Sequence, residues 1–390
     1  MANVRSEPLV SVRIASAVNR PRAGWADGLR VHLPASLLDR TGWRRGLRPD
    51  GVLEIPDGPS PVTTDDVACV REQRAFTDRR PLSARLPLSY RIVPGRARAI
   101  IASAIGRWNR RHVDRWAAFP GWPIDLSTDV LDDLRDGMAS PGPRARRAPV
   151  VLTHDIDSPE GLSNLVDRFL PLEEAAGARS TSYVVPCAWR LDHGLLGEVI
   201  ARGHEVGVHG YDHSNTTPFA AADARARRLD GARSFVERYS ATGYRAPSLL
   251  RTRALLRDVG CRYRYDSSIP TSGGLFPTPN NGCASARPFL VEGTVELPVT
   301  LPRDGTLRFL GYGPDDMLGI WIDCAELVAR SRGIVVMLTH CEQRFSGHHR
   351  ALDAYRRFLE CLRERSDRFT FSTPGRVLEA TTLQAPAGAV

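Results

Sequence analysis

The chain contains no lysine: its 53 basic residues are all arginines. This excludes a Schiff-base nucleophile, a pyridoxal phosphate anchor and a phosphate-loop lysine, and with them the usual forms of several large enzyme classes. Cysteine is sparse and unpaired in pattern, with seven residues and no Cys-x-x-Cys, so neither a thiolate zinc site nor a disulfide framework is indicated. No run of about 18 apolar residues is present for a membrane span, and the first residues lack a basic stretch followed by an apolar one, which predicts a cytoplasmic protein. A net charge of +9 over 390 residues suggests attraction to anions, yet the arginines are scattered and no nucleic-acid motif accompanies them. Hydrophobic residues at 42% and charged residues at 25% are ordinary globular usage. Any chemistry must come from Asp, Glu, His, Ser, Cys, Tyr or a metal.

Residues 1–148 read as a mixed α/β N-terminal extension, with strand-like runs at 29–33 and 52–55. A helical stretch at 96–116 carries Ile100, Ile101, Ile105, Trp108 and Val113 near a 3.6-residue period and arginine elsewhere. Two placements follow from that pattern: on an anionic membrane as a basic amphipathic helix, or packed by its apolar stripe on the main domain, which is the expectation adopted here. The Pro/Arg-rich segment 140–149 marks a linker. From 149 to 380 short apolar runs at 150–153, 182–185, 205–208, 260–265, 295–299 and 334–339 alternate with helical intervals at 162–170, 220–239 and 349–365. Such alternation predicts a parallel sheet in an α/β domain, closed as a barrel or open and doubly wound, with residues 381–390 as a tail.

Several of these runs end in ionisable residues, and in a parallel α/β domain the C-terminal strand ends share one face. Asp155 and Asp157 are two apart, so a strand continuing through them points both carboxylates the same way, where a bound cation relieves their repulsion. His209 and His213 are four apart, a spacing that places two imidazoles on one side of a helical turn and makes, with a carboxylate, an open facial metal set. Zinc is the leading occupant by ligand type, with Co2+, Ni2+, Fe2+ or Mn2+ also compatible. Arg245, before Pro247, is placed to keep an aspartate ionised. His340 is a candidate general acid with Asp266 as the partner fixing its tautomer.

The ordered set 153–157, 209–213, 245–247, 266–268 and 338–340 resembles the five motifs of the polysaccharide deacetylase superfamily, the NodB-homology or carbohydrate esterase family 4 group. The resemblance implies a distorted (β/α) barrel and a hydrolase that removes N-acetyl groups with one divalent metal. Carried over by motif, it implies Asp155 as general base, Asp157, His209 and His213 as metal ligands, and Arg245 as the residue orienting the base. It likewise implies His340 as general acid and Asp266 as its tuning partner. Leu338 then packs against the acetyl methyl, and the Ser248 N–H serves as an oxyanion donor. His154, standing where the first motif usually has an aromatic, and Tyr211 in the second are expected along the substrate wall.

The aspartates of the common first motif are adjacent, whereas here Ile156 separates them. That spacing resembles a branch containing bacterial cytoplasmic deacetylases and cyclic-amide hydrolases. Three functions follow as expectations: an N-deacetylase of a small acetamido sugar or sugar conjugate, a cyclic amide or imide hydrolase on the same scaffold, and a non-catalytic carbohydrate-binding domain. No nucleic-acid partner is expected, and the sequence does not set the oligomeric state.

Overall fold

The computed structural model describes residues 8–15, 24–26, 28–56, 60–76, 95–112, 118–119, 122–136, 147–272 and 282–381. The sequence elements near residues 113–116, 140–146 and 382–390 lie outside these.

Near the N-terminus, β1 (Leu9–Ala15) pairs antiparallel with β2 (Arg30–Pro34) and parallel with β3 (Val52–Glu54). In β1, Val12 and Ile14 are buried while Ser11 and Arg13 face outward, the alternation of a sheet covered on one side. A two-residue ladder joins β4 (Ala118–Phe119) to β5 (Trp122–Pro123). The following helix, Ser127–Arg135, seats this region on the rest of the chain: Asp129 accepts hydrogen bonds from Ser285 Oγ at 2.5 Å and from the Ala286 N–H at 2.7 Å.

The main sheet is built from β6 (Ala148–Ile156), β7 (Thr181–Val184), β8 (Glu205–Val208), β9 (Gly243–Tyr244), β10 (Tyr265–Asp266), β11 (Phe289–Val291), β12 (Thr294–Glu296), β13 (Val335–His340) and β14 (Phe369–Ser372). Its order is β11-β12-β10-β9-β8-β7-β6-β13, with β14 also on β6, and every pair is parallel except β11 with β12. The far edge of β13 is met by the chain leaving β12, because the N–H groups of Thr300 and Leu301 both donate to the Val336 carbonyl at 3.1 Å. The sheet therefore curls most of the way round, as the distorted barrel requires.

Strand parity divides the side chains. Val151, Tyr183, Tyr265, Val295 and Val336 form the interior cluster, while Val150, Leu152, Ile156, Val184 and Val208 join the larger core beneath the surrounding helices. Because side chains alternate, Thr153 and Asp155 share the interior face with Val151, and His154 lies on the opposite face. His154 is fully buried there, with Nδ1 on Thr339 Oγ1 at 2.8 Å and Nε2 on Glu173 Oε1 at 2.7 Å. Glu173 also accepts from the Tyr355 hydroxyl at 2.7 Å and lies 3.6 Å from His204 Nδ1. These contacts make a polar network inside the core that leaves Glu173 Oε2 without a hydrogen-bond donor. Glu173→Ala is expected to cost about 3–5 kcal/mol, since it strands several buried polar groups at once. Urea unfolding checks this, and a loss under about 1 kcal/mol would mean the network is not a stability element.

Three local expectations change. The 220–239 interval is two helices, Ala222–Asp230 and Arg233–Tyr239, interrupted at Gly231, where an added Cβ would meet the Tyr211 ring at 2.5 Å. Residues 260–262 end the helix Arg253–Gly260 and turn, leaving only Tyr265–Asp266 as strand. The helix Gly95–Arg110 does not bury its apolar stripe; it packs through Gly106 against the helix Asp304–Leu310, and Ile100, Ile101 and Trp108 stay exposed.

Candidate active site

At the C-terminal ends of β6, β8, β9 and β13 the strands deliver Asp155, His209, Arg245 and His340 to one place. Asp155 is buried, with Oδ1 held by Arg245 Nη1 at 3.0 Å and Oδ2 3.6 Å from His209 Nε2. Burial alone would raise this carboxyl, but in the site without a cation the facing charges of a protonated His209 and then of Arg245 outweigh it and bring it down to about 2. Arg245 lies beneath the site rather than along its rim. Its guanidinium is fully buried 4.0 Å above the Tyr183 ring and donates to the Ser267 carbonyl and Ser267 Oγ at 2.9 Å and to Thr153 Oγ1 at 2.9 Å. Every one of these partners fixes the direction in which the Asp155 ion pair points.

Asp157, one residue past the strand, brings Oδ1 to 3.3 Å from His213 Nε2 and 3.6 Å from His209 Nε2. That oxygen is buried and has no hydrogen-bond partner. His209 Nδ1 donates to the Arg245 carbonyl at 3.0 Å, and since a carbonyl only accepts, Nε2 is left with its lone pair toward Asp157. One carboxylate oxygen and two imidazole nitrogens thus lie within 4.8 Å of one another. A buried oxygen without a donor, facing two imidazole nitrogens of which His209 Nε2 presents its lone pair in the neutral ring, is the donor set of a divalent cation, so these residues fit one. The two histidines do not share a helical turn. Gly210 at φ +65 and His213 at φ 59 fold the loop back, and a Cβ on Gly210 would sit 2.6 Å from Pro247 Cδ.

His340 ends β13. Its Nδ1 donates to Asp304 Oδ1 at 2.8 Å, its backbone N–H to Asp304 Oδ2 at 2.8 Å, and Ser346 Oγ donates to the same Oδ2 at 2.8 Å. Burial opposes the imidazolium, but the Asp304 carboxylate more than compensates and raises His340 to about 9. The expected partner, Asp266, is elsewhere. Tyr265 takes the interior position on β10, so Asp266 faces the other side, where it accepts from Ser268 N and Oγ at 3.0 and 2.8 Å and is the register partner of Glu296. Burial raises both of these carboxyls.

The remaining expected residues divide. Leu338 is buried with Leu249 and Val299 in a small apolar cluster beside His340. Ser248 is exposed, at φ 55 in a tight turn after Pro247. Tyr211 packs on Gly231 and beneath the Arg228 guanidinium, which lies 5.0 Å from the ring centre. His154 is not on a substrate wall, for the parity reason given above. Three residues near the ligand set went unforeseen. Asp304 opens a helix well after β12 rather than ending a strand. Glu342 accepts from Asp157 N at 3.2 Å and Ser158 Oγ at 2.8 Å, and burial followed by the Asp157 charge raises it to about 7. Arg303, half-buried beside Asp304, accepts from the Leu307 N–H through its carbonyl at 3.0 Å, and burial lowers its guanidinium pKa against the opposing pull of the Asp155 and Asp304 carboxylates. Of the three, Glu342 alone carried a sequence signal, an acid two residues beyond His340; no strand end or periodic pattern marks Arg303 or Asp304.

Residues 143–262 match the family model for polysaccharide deacetylase. The domain is of the polysaccharide deacetylase type. This match spans Asp155, Asp157, His209, His213 and Arg245, and it supports deacetylase activity, a hydrolysis of amide bonds, for the deacetylase-type domain. Among solved structures, one from Mycobacterium smegmatis, provisionally described as a polysaccharide deacetylase, is 21% identical with a TM-score of 0.48, covering 62% of this chain and 92% of that one. PuuE allantoinase is 17% identical with a TM-score of 0.47, over 62% and 94% of the two chains. The family 4 carbohydrate esterase from Streptomyces lividans, in complex with acetate, is 14% identical with a TM-score of 0.37, over 58% and 91%. No curated protein matches the chain.

Proposed function

We propose that the protein is a metal-dependent N-deacetylase that cleaves the acetamido group of a small amino sugar or sugar conjugate. The observation that carries this reading is the buried, donor-less Asp157 Oδ1 facing two imidazole nitrogens, one of them fixed in the ligating tautomer. Asp157, His209 and His213 would hold the cation, with zinc favoured by the donor types. When bound, such a cation acidifies water toward a pKa of roughly 7 and polarises the acyl oxygen.

The chain's own groups supply the rest. Asp155 stays ionised throughout the neutral range and receives the proton released as water adds to the acyl carbon, while Arg245 holds its carboxylate in line. His340 carries its second proton on Nε2, because Nδ1–H is committed to Asp304, and with its pKa at about 9 it is charged at neutral pH. It donates that proton to the departing nitrogen, so the C–N bond breaks to a neutral amine and acetate. Leu338, with Leu249 and Val299 packed behind it, would form the apolar wall against which the acetyl methyl rests.

The test is elemental analysis of the purified protein with Asp157→Ala and His209→Ala, followed by acetate release from acetamido sugars. About one equivalent of a transition metal is expected, lost in both variants together with activity. Retention of metal by both variants would remove the ligand assignment. A ring-opened acid as product, in place of acetate, would move the reading to the cyclic-amide reaction.

A further inference from the structure

We propose that the helix Gly95–Arg110 is a membrane-docking element that seats the protein on an anionic lipid surface. The proposal does not depend on the hydrolytic reaction. It begins with exposure: Ile100 is 70%, Ile101 55% and Trp108 64% exposed, and the other exposed large hydrophobics among the described residues are Ile200 and Leu290, elsewhere in the chain. At roughly 100° per residue, Ile100, Trp108 and Ile101 fall within an arc of about 100°, with Ala104 between them. They form one apolar stripe.

The stripe faces outward because the opposite side of the helix is already used. A Cβ at Gly106 would collide with the Phe309 carbonyl, so the backbones of the two helices touch there. Arg110 Nη1 donates to the Gly311 carbonyl at 3.0 Å, and its guanidinium lies 4.1 Å from the centre of the Tyr312 ring. Rotating the helix to bury its isoleucines would put larger side chains where only glycine fits. The orientation is therefore set by packing, and the exposed face is left for a partner.

Charge selects that partner. Residues 95–112 contain Arg96, Arg98, Arg107, Arg110 and Arg111 and no acidic residue. Arg107 is exposed beside the stripe and Arg111 is exposed in line with it just past the helix end, where its guanidinium lies 5.8 Å from the centre of the Trp108 ring. A second copy of this face would oppose arginine to arginine. Anionic headgroups instead meet the arginines while isoleucine and tryptophan enter the headgroup–acyl boundary, the arrangement of an interfacial helix. No helix among the described residues is long and apolar enough to cross a membrane. The helix braced beneath Gly95–Arg110 begins at Asp304, the residue that holds His340, so docking orients the candidate site relative to the lipid plane.

The experiment is co-sedimentation of the full chain with extruded vesicles of phosphatidylcholine alone or containing phosphatidylglycerol, at low and high salt. Binding to the anionic vesicles and its loss in high salt are expected. Trp108→Ser with Ile101→Ser, and separately Arg107→Gln with Arg111→Gln, should each weaken partitioning about tenfold or more, whereas Leu290→Ser should not. The arginine pair guards against misfolding, since both side chains are exposed. Absence of wild-type binding, or equal binding by the Trp108 and Ile101 variant, would overturn the proposal. So would a dimer in gel filtration that these variants dissociate, which would assign the face to a second copy.

Discussion

Asp155→Asn is expected to lower kcat by about 10³-fold while leaving the metal content of the protein unchanged. Asparagine keeps the shape and can still accept from Arg245, but it takes no proton at neutral pH and carries no charge. The loss is not confined to catalysis. Arg245 is fully buried, and Asp155 is its ion-pair partner among the described residues. Removing that charge leaves a buried guanidinium uncompensated, which costs about 3–5 kcal/mol. The sign of the pH dependence follows from the positive groups that face Asp155 against its burial, His209 first and Arg245 with it. Folding depresses the Asp155 pKa to about 2, so its contribution is present above the unfolded value of roughly 3.9 and disappears as pH falls toward 2. In Asp155→Asn the acid-side loss of stability should therefore flatten. The decisive comparison is kcat beside urea stability. A variant that is destabilised yet turns over at the wild-type rate would reduce Asp155 to a structural counter-ion and exclude it as the base.

How much of this was legible in the sequence depends on how far each residue's position follows from local pattern. The alternation of apolar runs and helical spacers located β6, β7, β8 and β13, and the strand-end rule brought Asp155, His209, Arg245 and His340 together correctly. Parity set the limits. His154 adjoins Asp155 in sequence but belongs to the other face of the sheet, where Glu173 and Thr339 take it. Asp266 fails in the same way, because Tyr265 fills the inward position on a strand of two residues, too short to show its phase by alternation. His209 and His213 were recognised by spacing, yet a positive φ at Gly210 and at His213, not a helical turn, brings them together. Asp304 was invisible for a different reason: it approaches His340 from the start of a helix, a long-range contact no periodicity reveals. The Gly95–Arg110 helix was recognised by its period, but its facing was misread. Its apolar stripe suggested burial, and a single glycine whose backbone touches the next helix decided otherwise.

Asp304→Asn should shift the basic limb of the pH–rate profile downward by more than one pH unit and lower kcat at neutral pH about 10²-fold or more. The direction follows from what Asp304 does to His340. Burial by itself favours the neutral imidazole, and the carboxylate 2.8 Å from Nδ1 reverses that, holding the proton up to about 9. The donating form of His340 is thus present below that value and lost above it. Stability follows the same sign: a histidine raised on folding contributes fully below its unfolded pKa of roughly 6.5, and the contribution fades as pH rises through about 9. Asparagine retains an acceptor for the hydrogen bonds from the His340 N–H and Ser346, so the site should keep its shape while losing the charge that sustains the imidazolium. A cation on the neighbouring ligands would lower the limb in both proteins, but the difference between them belongs to Asp304. A uniform fall in kcat with an unmoved limb would mean that Asp304 only positions the ring.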